Sequence, residues 1–130
     1  MKIVLGVVAG CVVAIACIFG IEAAGHMVFP PPAGTDLSDP AQMARLMEIV
    51  PPAALAFVLA AWFLGTLAGA WVADAVAKRA LAGWIVALLV IAGGIYTMMT
   101  IPHPAWMWAA GIGLPLVAAW LAQRLAKVAL

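Results

Sequence analysis

The sequence predicts an all-α integral membrane protein with four transmembrane helices in an antiparallel bundle, and three observations support this prediction. Of the 130 residues, 68% are hydrophobic and only 8% are charged, whereas soluble domains are roughly half apolar and about a quarter charged. Four apolar runs approach the length of about 20 residues that crosses a bilayer. Proline or charged residues separate these runs. We therefore expect a single membrane domain over residues 1–130.

The first transmembrane helix is expected over about residues 3–25. Its start resembles a secretory signal peptide, because the basic residue Lys2 precedes the apolar run. The run from Ile3 to Ile21 is nevertheless longer than the core of about 7 to 15 residues in such a peptide. We therefore interpret this segment as a membrane helix that is retained.

Two sides of the first helix differ in chemistry. On a helical wheel, Glu22 and His26 share one side. The opposite side carries small residues, and such a stripe lets another helix approach closely: Gly6, Gly10, Cys17, Gly20 and Ala24. Glu22 and His26 thus lie opposite the glycines, and the residues that they meet need not belong to the helix that packs on Gly6 and Gly10.

A loop with one short helix is predicted between the first two spans. Prolines 30–32 cannot continue a helix. Asp39 suits the N-cap position, Pro40 suits the first helical position, and Gln42 has the spacing of a capping box. The residues at about 40–50 then alternate apolar and polar with helical periodicity, which predicts an amphipathic helix in the membrane interface.

The second transmembrane helix is expected over about residues 53–73, ending before Asp74. Small residues recur along it every four positions, and such a seam suits a right-handed helix crossing: Ala61, Gly65, Gly69 and Ala73. Close packing against another helix is the expected role of this stripe. A dimer interface is the alternative.

The third and fourth helices are expected over about residues 81–100 and 105–123. The short turn between them contains two prolines, and Pro115 predicts a local kink in the fourth helix. Aromatic residues beside this turn are interpreted as anchors in the membrane interface rather than as an aromatic ligand pocket: Tyr96, Trp106 and Trp108.

The basic residues predict an orientation. If the N-terminus is cytoplasmic, Arg45 alone lies outside, and the other five basic residues lie inside, as the positive-inside rule prefers: Lys2, Lys78, Arg79, Arg124 and Lys127. Both termini are therefore expected in the cytoplasm of the cell, in a multi-pass membrane protein.

This orientation places Glu22, His26 and His103 at the same outer surface. Glu22 and His26 stand four residues apart on one helix face, close enough to share a hydrogen bond or an ion. With His103 they predict a site for a proton or for a metal ion, either divalent or soft. The alternatives are an ordinary interfacial Glu–His pair with His103 bonded to a loop carbonyl, or a polar contact to a partner subunit.

No familiar catalytic motif is present. The sequence contains no Walker A loop, no HExxH and no GxSxG, so no residue is predicted to be catalytic or to bind an organic cofactor. The net charge of +1 gives no indication of nucleic-acid binding.

Three functions remain open at this point. We expect a non-enzymatic membrane scaffold or accessory subunit, which contacts membrane lipids and associates with itself or a larger complex through its small-residue faces. The alternative is a membrane protein that binds a metal ion or proton at the outer Glu/His site. The third is a membrane enzyme acting on a lipid or quinone.

The chain resembles small, uncharacterised four-helix proteins of bacterial inner membranes. The resemblance rests on Glu22 and His26 before the prolines, the segment 36–40, the small residues from Gly65 to Ala73, and the turn 101–104 before Trp106. It implies a protein with four membrane spans, located in a bacterial inner membrane, and supplies no activity.

Overall fold

The computed structural model describes residues 1–130 and contains five α-helices and no strand. Four of the helices are long and apolar enough to cross a membrane, which indicates a multi-pass membrane protein. The prediction of an all-α chain with four long apolar helices is confirmed. In chain order the helices are α1 (Lys2–Val28), α2 (Pro40–Ile49), α3 (Pro52–Ala77), α4 (Ala80–Thr100) and α5 (Ala105–Ala126).

Helix α3 is the element on which the other long helices pack. It contacts α1, α4 and α5, whereas no Cα atom of α1 lies within 8 Å of a Cα atom of α5. In its most apolar segment 44% of the residues are buried, against 17% in α1. The short helix α2 differs from all of these, because none of its Cα atoms lies within 8 Å of a Cα atom in another helix.

Small residues bring α1 and α3 into close contact. A Cβ atom added to Gly10 would lie 2.5 Å from the carbonyl oxygen of Gly69, and one added to Gly69 would lie 2.5 Å from the carbonyl oxygen of Gly10. A Cβ on Gly6 would likewise lie 2.6 Å from the carbonyl oxygen of Ala73. Only glycine permits this separation, because backbone atoms occupy the space that a side chain would need.

The α1–α3 contact does not include Gly20, which the wheel placed on the same stripe. Nothing lies within 4 Å of a Cβ atom built on Gly20. Residues four apart are offset by about 40° on a helix of 3.6 residues per turn. The contact therefore drifts around α1 through the buried residue Ala14 towards Ile18, whose side chain approaches Gly65.

Helix α3 continues past the point at which the sequence predicted its end. Asp74 was expected to close the span, but the helix runs to Ala77 and ends at Lys78 in the left-handed conformation, with φ 58°. The side chain of Asp74 is 0% exposed. Its Oδ1 accepts a hydrogen bond from the backbone N–H of Gly83, at 2.7 Å. The carboxyl group is thereby held against the first turns of α4.

The N-terminus of α2 has the predicted N-cap residue, but Gln42 does not complete the capping box in the predicted way. The side chain of Asp39 accepts a hydrogen bond from the N–H of Ala41, and Pro40 is the first helical residue. Gln42 does not bind the backbone N–H of its N-cap residue. Its Nε2 donates to Oδ2 of Asp39 at 3.2 Å, and its Oε1 accepts from the N–H of Asp36 at 2.7 Å. The box therefore joins α2 to the preceding loop.

Candidate functional site

A cavity of about 610 Å³ lies between the C-terminal end of α1, the loop that follows it, α2, the start of α3 and the end of α4. We call it the α2 cavity. Of the 22 residues that line it, 13 are hydrophobic, so most of its wall is apolar. The three residues that the sequence singled out, Glu22, His26 and His103, all line it.

Helix α2 forms one wall of this cavity, although its backbone lies apart from the backbones of the long helices. Its apolar residues Met43, Leu46 and Met47 line the cavity, while no residue of α2 is fully buried. Met47 and Val50 pack against the neighbouring hydrophobic cluster. The space thus exists because the amphipathic helix stands off from the long helices and turns its apolar side towards them.

The end of α1 and the start of α3 form the opposite wall. The backbone N–H of Phe29 caps α1 by donating to the carbonyl oxygen of Gly25, at 2.8 Å. The ring of Phe29 packs edge to face on that of Phe57, with centroids 5.9 Å apart. A Cβ on Gly25 would lie 3.1 Å from the Cβ of Phe57. This packing sets the point at which the chain leaves α1 and begins the proline segment.

Glu22 lies on the side of α1 that faces α3. Its Oε1 accepts a hydrogen bond from the indole N–H of Trp62, at 3.3 Å. The sequence left open which helix Glu22 meets, and in the structure it is α3, the same helix that packs on Gly6 and Gly10. Glu22 can meet α3 although the wheel places it opposite the glycines, because the contact with α3 drifts around α1 and reaches Glu22 at the C-terminal end of the helix.

The two histidines differ in their surroundings. His26 is exposed at the cavity wall, whereas His103 is partly buried. Nδ1 of His103 lies 2.6 Å from the carbonyl oxygen of Ile101. Because a carbonyl oxygen only accepts, Nδ1 carries the proton of this bond, and in the neutral ring Nε2 is left as an acceptor. This bond to a loop carbonyl is the alternative that the sequence left open for His103.

The predicted metal ligands share a cavity without forming a metal cluster. No group of three or more His, Cys, Asp or Glu side chains in the chain is arranged to hold a metal ion. Glu22 and His26 stand one helical turn apart on α1. Binding of a metal ion or a proton by Glu22, His26 and His103 stays a prediction.

The predicted interfacial aromatic residues occupy two kinds of position. Tyr96 and Trp106 have exposed side chains. Trp108 is partly buried and packs against the hydrophobic cluster that contains Trp62 and Met107. Whether these residues anchor the protein in a membrane interface stays a prediction.

Two residues that matter in the structure were missed by the sequence interpretation. Trp62 holds Glu22, yet nothing in the sequence distinguishes it from the other tryptophans of an apolar helix. Asp74 is buried, and its Oδ2 has no hydrogen-bond partner. The sequence did contain a signal for Asp74. An acidic side chain near the end of an apolar run needs a hydrogen-bond donor if it is buried, and the start of α4, which contains Gly83, follows closely in the chain.

Comparison of the chain with family models, with curated proteins and with solved structures finds no significant match. A function for this chain is therefore inferred from the α2 cavity and its side chains. The cavity offers a large apolar wall and a few polar groups. That combination is typical of a site for a small organic molecule.

Proposed function

We propose that this protein is a multi-pass membrane protein that binds an amphiphilic molecule in the α2 cavity. The apolar body of the molecule would lie against the hydrophobic wall, and its polar group would meet Glu22, His26 and His103. The observation that carries the proposal is that these three residues line one cavity of about 610 Å³. Sites for small organic molecules typically measure about 300–1,000 Å³ and are mostly apolar, with a few placed polar groups.

The lining residues favour a ligand whose polar group donates hydrogen bonds. Oε1 of Glu22 accepts a hydrogen bond from Trp62, and in the neutral ring of His103 Nε2 is an acceptor. No Lys or Arg lines the cavity, so a phosphate group would be brought close to the Glu22 carboxyl without an ammonium or guanidinium group to pair with it. A hydroxyl or ammonium group suits the cavity better.

We place the four long helices in the membrane as an antiparallel bundle. The contacts between α1 and α3 support this arrangement, because Gly6 of α1 lies beside Ala77 near the end of α3, whereas Gly25 lies beside Phe57 near its start. The distribution of basic residues supports cytoplasmic termini, because five of them then lie inside and one lies outside. In this orientation the α2 cavity opens at the outer side of the membrane, which we take to be a bacterial inner membrane on the basis of the family resemblance.

The functions predicted from the sequence relate to this proposal in different ways. The small-residue stripes are used inside the chain, where Gly10 packs on Gly69, so they do not require a partner to explain them. The scaffold or accessory-subunit function stays a prediction. The third function, a membrane enzyme acting on a lipid or quinone, also stays a prediction.

Binding of a neutral hydroxylated amphiphile to detergent-purified protein tests the proposal. Native mass spectrometry with mono-octanoylglycerol should show one bound molecule per chain. Glu22→Gln keeps the size of the side chain but weakens its acceptor strength, and we expect the dissociation constant to rise roughly tenfold, equivalent to ~1.4 kcal/mol. Glu48→Gln is the matched control, because Glu48 is exposed on α2 and does not line the cavity.

Two outcomes would contradict the proposal. One is the absence of a one-to-one complex with mono-octanoylglycerol at concentrations below its own micelle formation. The other is binding that Glu22→Gln and Glu48→Gln affect equally, because the polar group would then not lie at Glu22. A circular dichroism spectrum equal to that of the wild type is required of both variants, so that unfolding does not imitate the loss of binding.

A further inference from the structure

A second cavity of about 300 Å³ lies between α1 and α4. We call it the α1–α4 slot. It is lined by residues of α1 from Cys11 to Glu22 and by residues of α4 from Val86 to Thr97, with Trp62 of α3 also contributing. All but a few of these residues are apolar, so the slot is a hydrophobic space between two helices.

The slot and the α2 cavity meet at shared residues. Glu22 and Thr97 line both of them. At its sides the slot is bordered by Ile15, Phe19 and Leu89, which have exposed side chains. In a membrane these side chains would face the hydrocarbon. The slot therefore lies between the lipid-facing surface of the protein and the polar residue Glu22 at the edge of the α2 cavity.

The dimensions of the slot match one leaflet of a bilayer. The distance along α1 from Cys11 to Glu22, like that along α4 from Val86 to Thr97, is about 16 Å at a rise of about 1.5 Å per residue. This is about half of the ~30 Å hydrocarbon thickness of a bilayer. The polar end of the slot at Glu22 would lie towards the headgroups and the end at Cys11 towards the midplane.

The volume of the slot suits a single hydrocarbon chain. About 300 Å³ distributed over about 16 Å corresponds to a cross-section of roughly 20 Å². A helix is about 10–12 Å wide with its side chains, so a helix from a second copy of the chain does not fit into the slot. Gly93 keeps part of the slot open, because nothing lies within 4 Å of a Cβ atom built there.

We propose that the α1–α4 slot holds one hydrocarbon chain of a membrane lipid whose hydroxyl-bearing headgroup occupies the α2 cavity at Glu22. This inference rests on the proposed function and names the class of its ligand. The ligand is a long-chain lipid that enters sideways from the leaflet, rather than a short amphiphile taken up from water. Trp62, which lines the slot and binds Glu22, lies where chain and headgroup meet.

Filling the slot should separate long-chain from short-chain ligands. Gly93→Leu places a side chain in open space at the slot wall, so folding should be preserved. We expect it to weaken the binding of mono-oleoylglycerol at least tenfold while leaving mono-octanoylglycerol binding unchanged, since the shorter chain can be accommodated in the α2 cavity. Gly113→Leu is the matched control, because Gly113 of α5 also has nothing within 4 Å and does not line the slot. It should affect neither ligand.

A photoreactive mono-oleoylglycerol analogue with a diazirine near the end of its chain gives an independent readout. In protein reconstituted into phosphatidylcholine vesicles, the cross-links should map to residues 11–19 and 86–93. Gly93→Leu should remove them, and Gly113→Leu should not. Cross-links spread equally over the exposed residues of α5 would show ordinary lipid contact and would overturn the inference.

The two proposals fail in different ways. If mono-octanoylglycerol binds in a manner that depends on Glu22, but Gly93→Leu leaves mono-oleoylglycerol binding unchanged, the lipid-chain inference is overturned and the cavity proposal stands. If neither compound binds to the wild-type protein, both proposals are overturned.

Discussion

The indole nitrogen of Trp62 lies 3.3 Å from Oε1 of Glu22 and donates a hydrogen bond to it. Trp62 is 5% exposed. A Cβ added to Gly94 or Gly111 would lie 3.0 Å or 2.8 Å from its ring, so α4 and α5 both pack closely on the indole. Because the ring is held on three helices, its N–H is a fixed donor. Glu22 is thereby held where the α1–α4 slot meets the α2 cavity.

The first prediction concerns this hydrogen bond. Trp62→Phe removes the donor and leaves a small void, and we expect the free energy of unfolding to fall by about 2 kcal/mol. Trp71→Phe provides a matched control, because Trp71 lies on the same helix and is 46% exposed. It should change stability by less than about 0.5 kcal/mol. Reversible unfolding in mixed micelles, followed by circular dichroism, measures both, and equal effects would argue against a role for the bond.

The second prediction compares two glycines of α1. Gly10→Ala introduces a Cβ atom 2.5 Å from a backbone oxygen of α3, and we expect a loss of about 1–3 kcal/mol from overpacking. Gly20→Ala enters open space, so the higher helix propensity of alanine should leave stability unchanged or raise it by up to about 1 kcal/mol. The same unfolding experiment measures both variants. A destabilising Gly20→Ala, or a neutral Gly10→Ala, would contradict the α1–α3 contact.

Much of the fold could be predicted from local sequence, because long apolar runs and prolines determine where helices exist. The stripe that contains Gly65 and Gly69 also indicated a closely packed face. The face of α1 that carries Glu22 could not be assigned with a simple wheel. A contact between crossed helices drifts around each helix, and its direction depends on the partner.

The candidate site was predictable as a set of polar residues but not as a cavity. Glu22, His26 and His103 stand out because polar groups are rare in this chain. The space between them depends on how far α2 stands from the other helices, and no pattern in the sequence encodes that distance. The role of Asp74 as the end of a span was wrong for a related reason. The group that donates a hydrogen bond to its side chain is the N–H of Gly83, which belongs to the next helix.

The third prediction concerns the link between α3 and α4. Asp74→Ala leaves the N–H of Gly83 without its acceptor, and an unsatisfied buried donor costs about 1–3 kcal/mol. Asp74→Asn keeps an oxygen acceptor of similar size, so its stability should lie between those of the wild type and Asp74→Ala. Glu48→Ala, at an exposed position of α2, is the control. If Asp74→Asn unfolds as readily as Asp74→Ala, the bond to Gly83 is not what stabilises this link.

The fourth prediction is a pH dependence in the loop before α2. The hydroxyl and the backbone N–H of Ser38 both donate to Oδ1 of Asp36, at 2.6 Å and 2.9 Å. These bonds hold the pKa of the Asp36 carboxyl below its ordinary value. A lowered pKa means that the ionised carboxylate favours the ordered turn. The turn should therefore be fully formed at and above the ordinary Asp range, and should loosen as the pH falls below it.

Nuclear magnetic resonance of the Ser38 amide in isotopically labelled protein measures this dependence. The amide shift should stay constant from neutral pH down to the ordinary Asp range, and should then move as Asp36 takes up a proton. Asp36→Asn keeps an oxygen that can accept from Ser38 but carries no charge, so the turn should be weaker than in the wild type at neutral pH and should no longer change with pH in the Asp range. Leu37 lies between the two residues and lines the α2 cavity, so its methyl signals should move together with the amide of Ser38. If the Ser38 amide titrates above the ordinary Asp range, or still titrates in Asp36→Asn, then Asp36 does not order this loop.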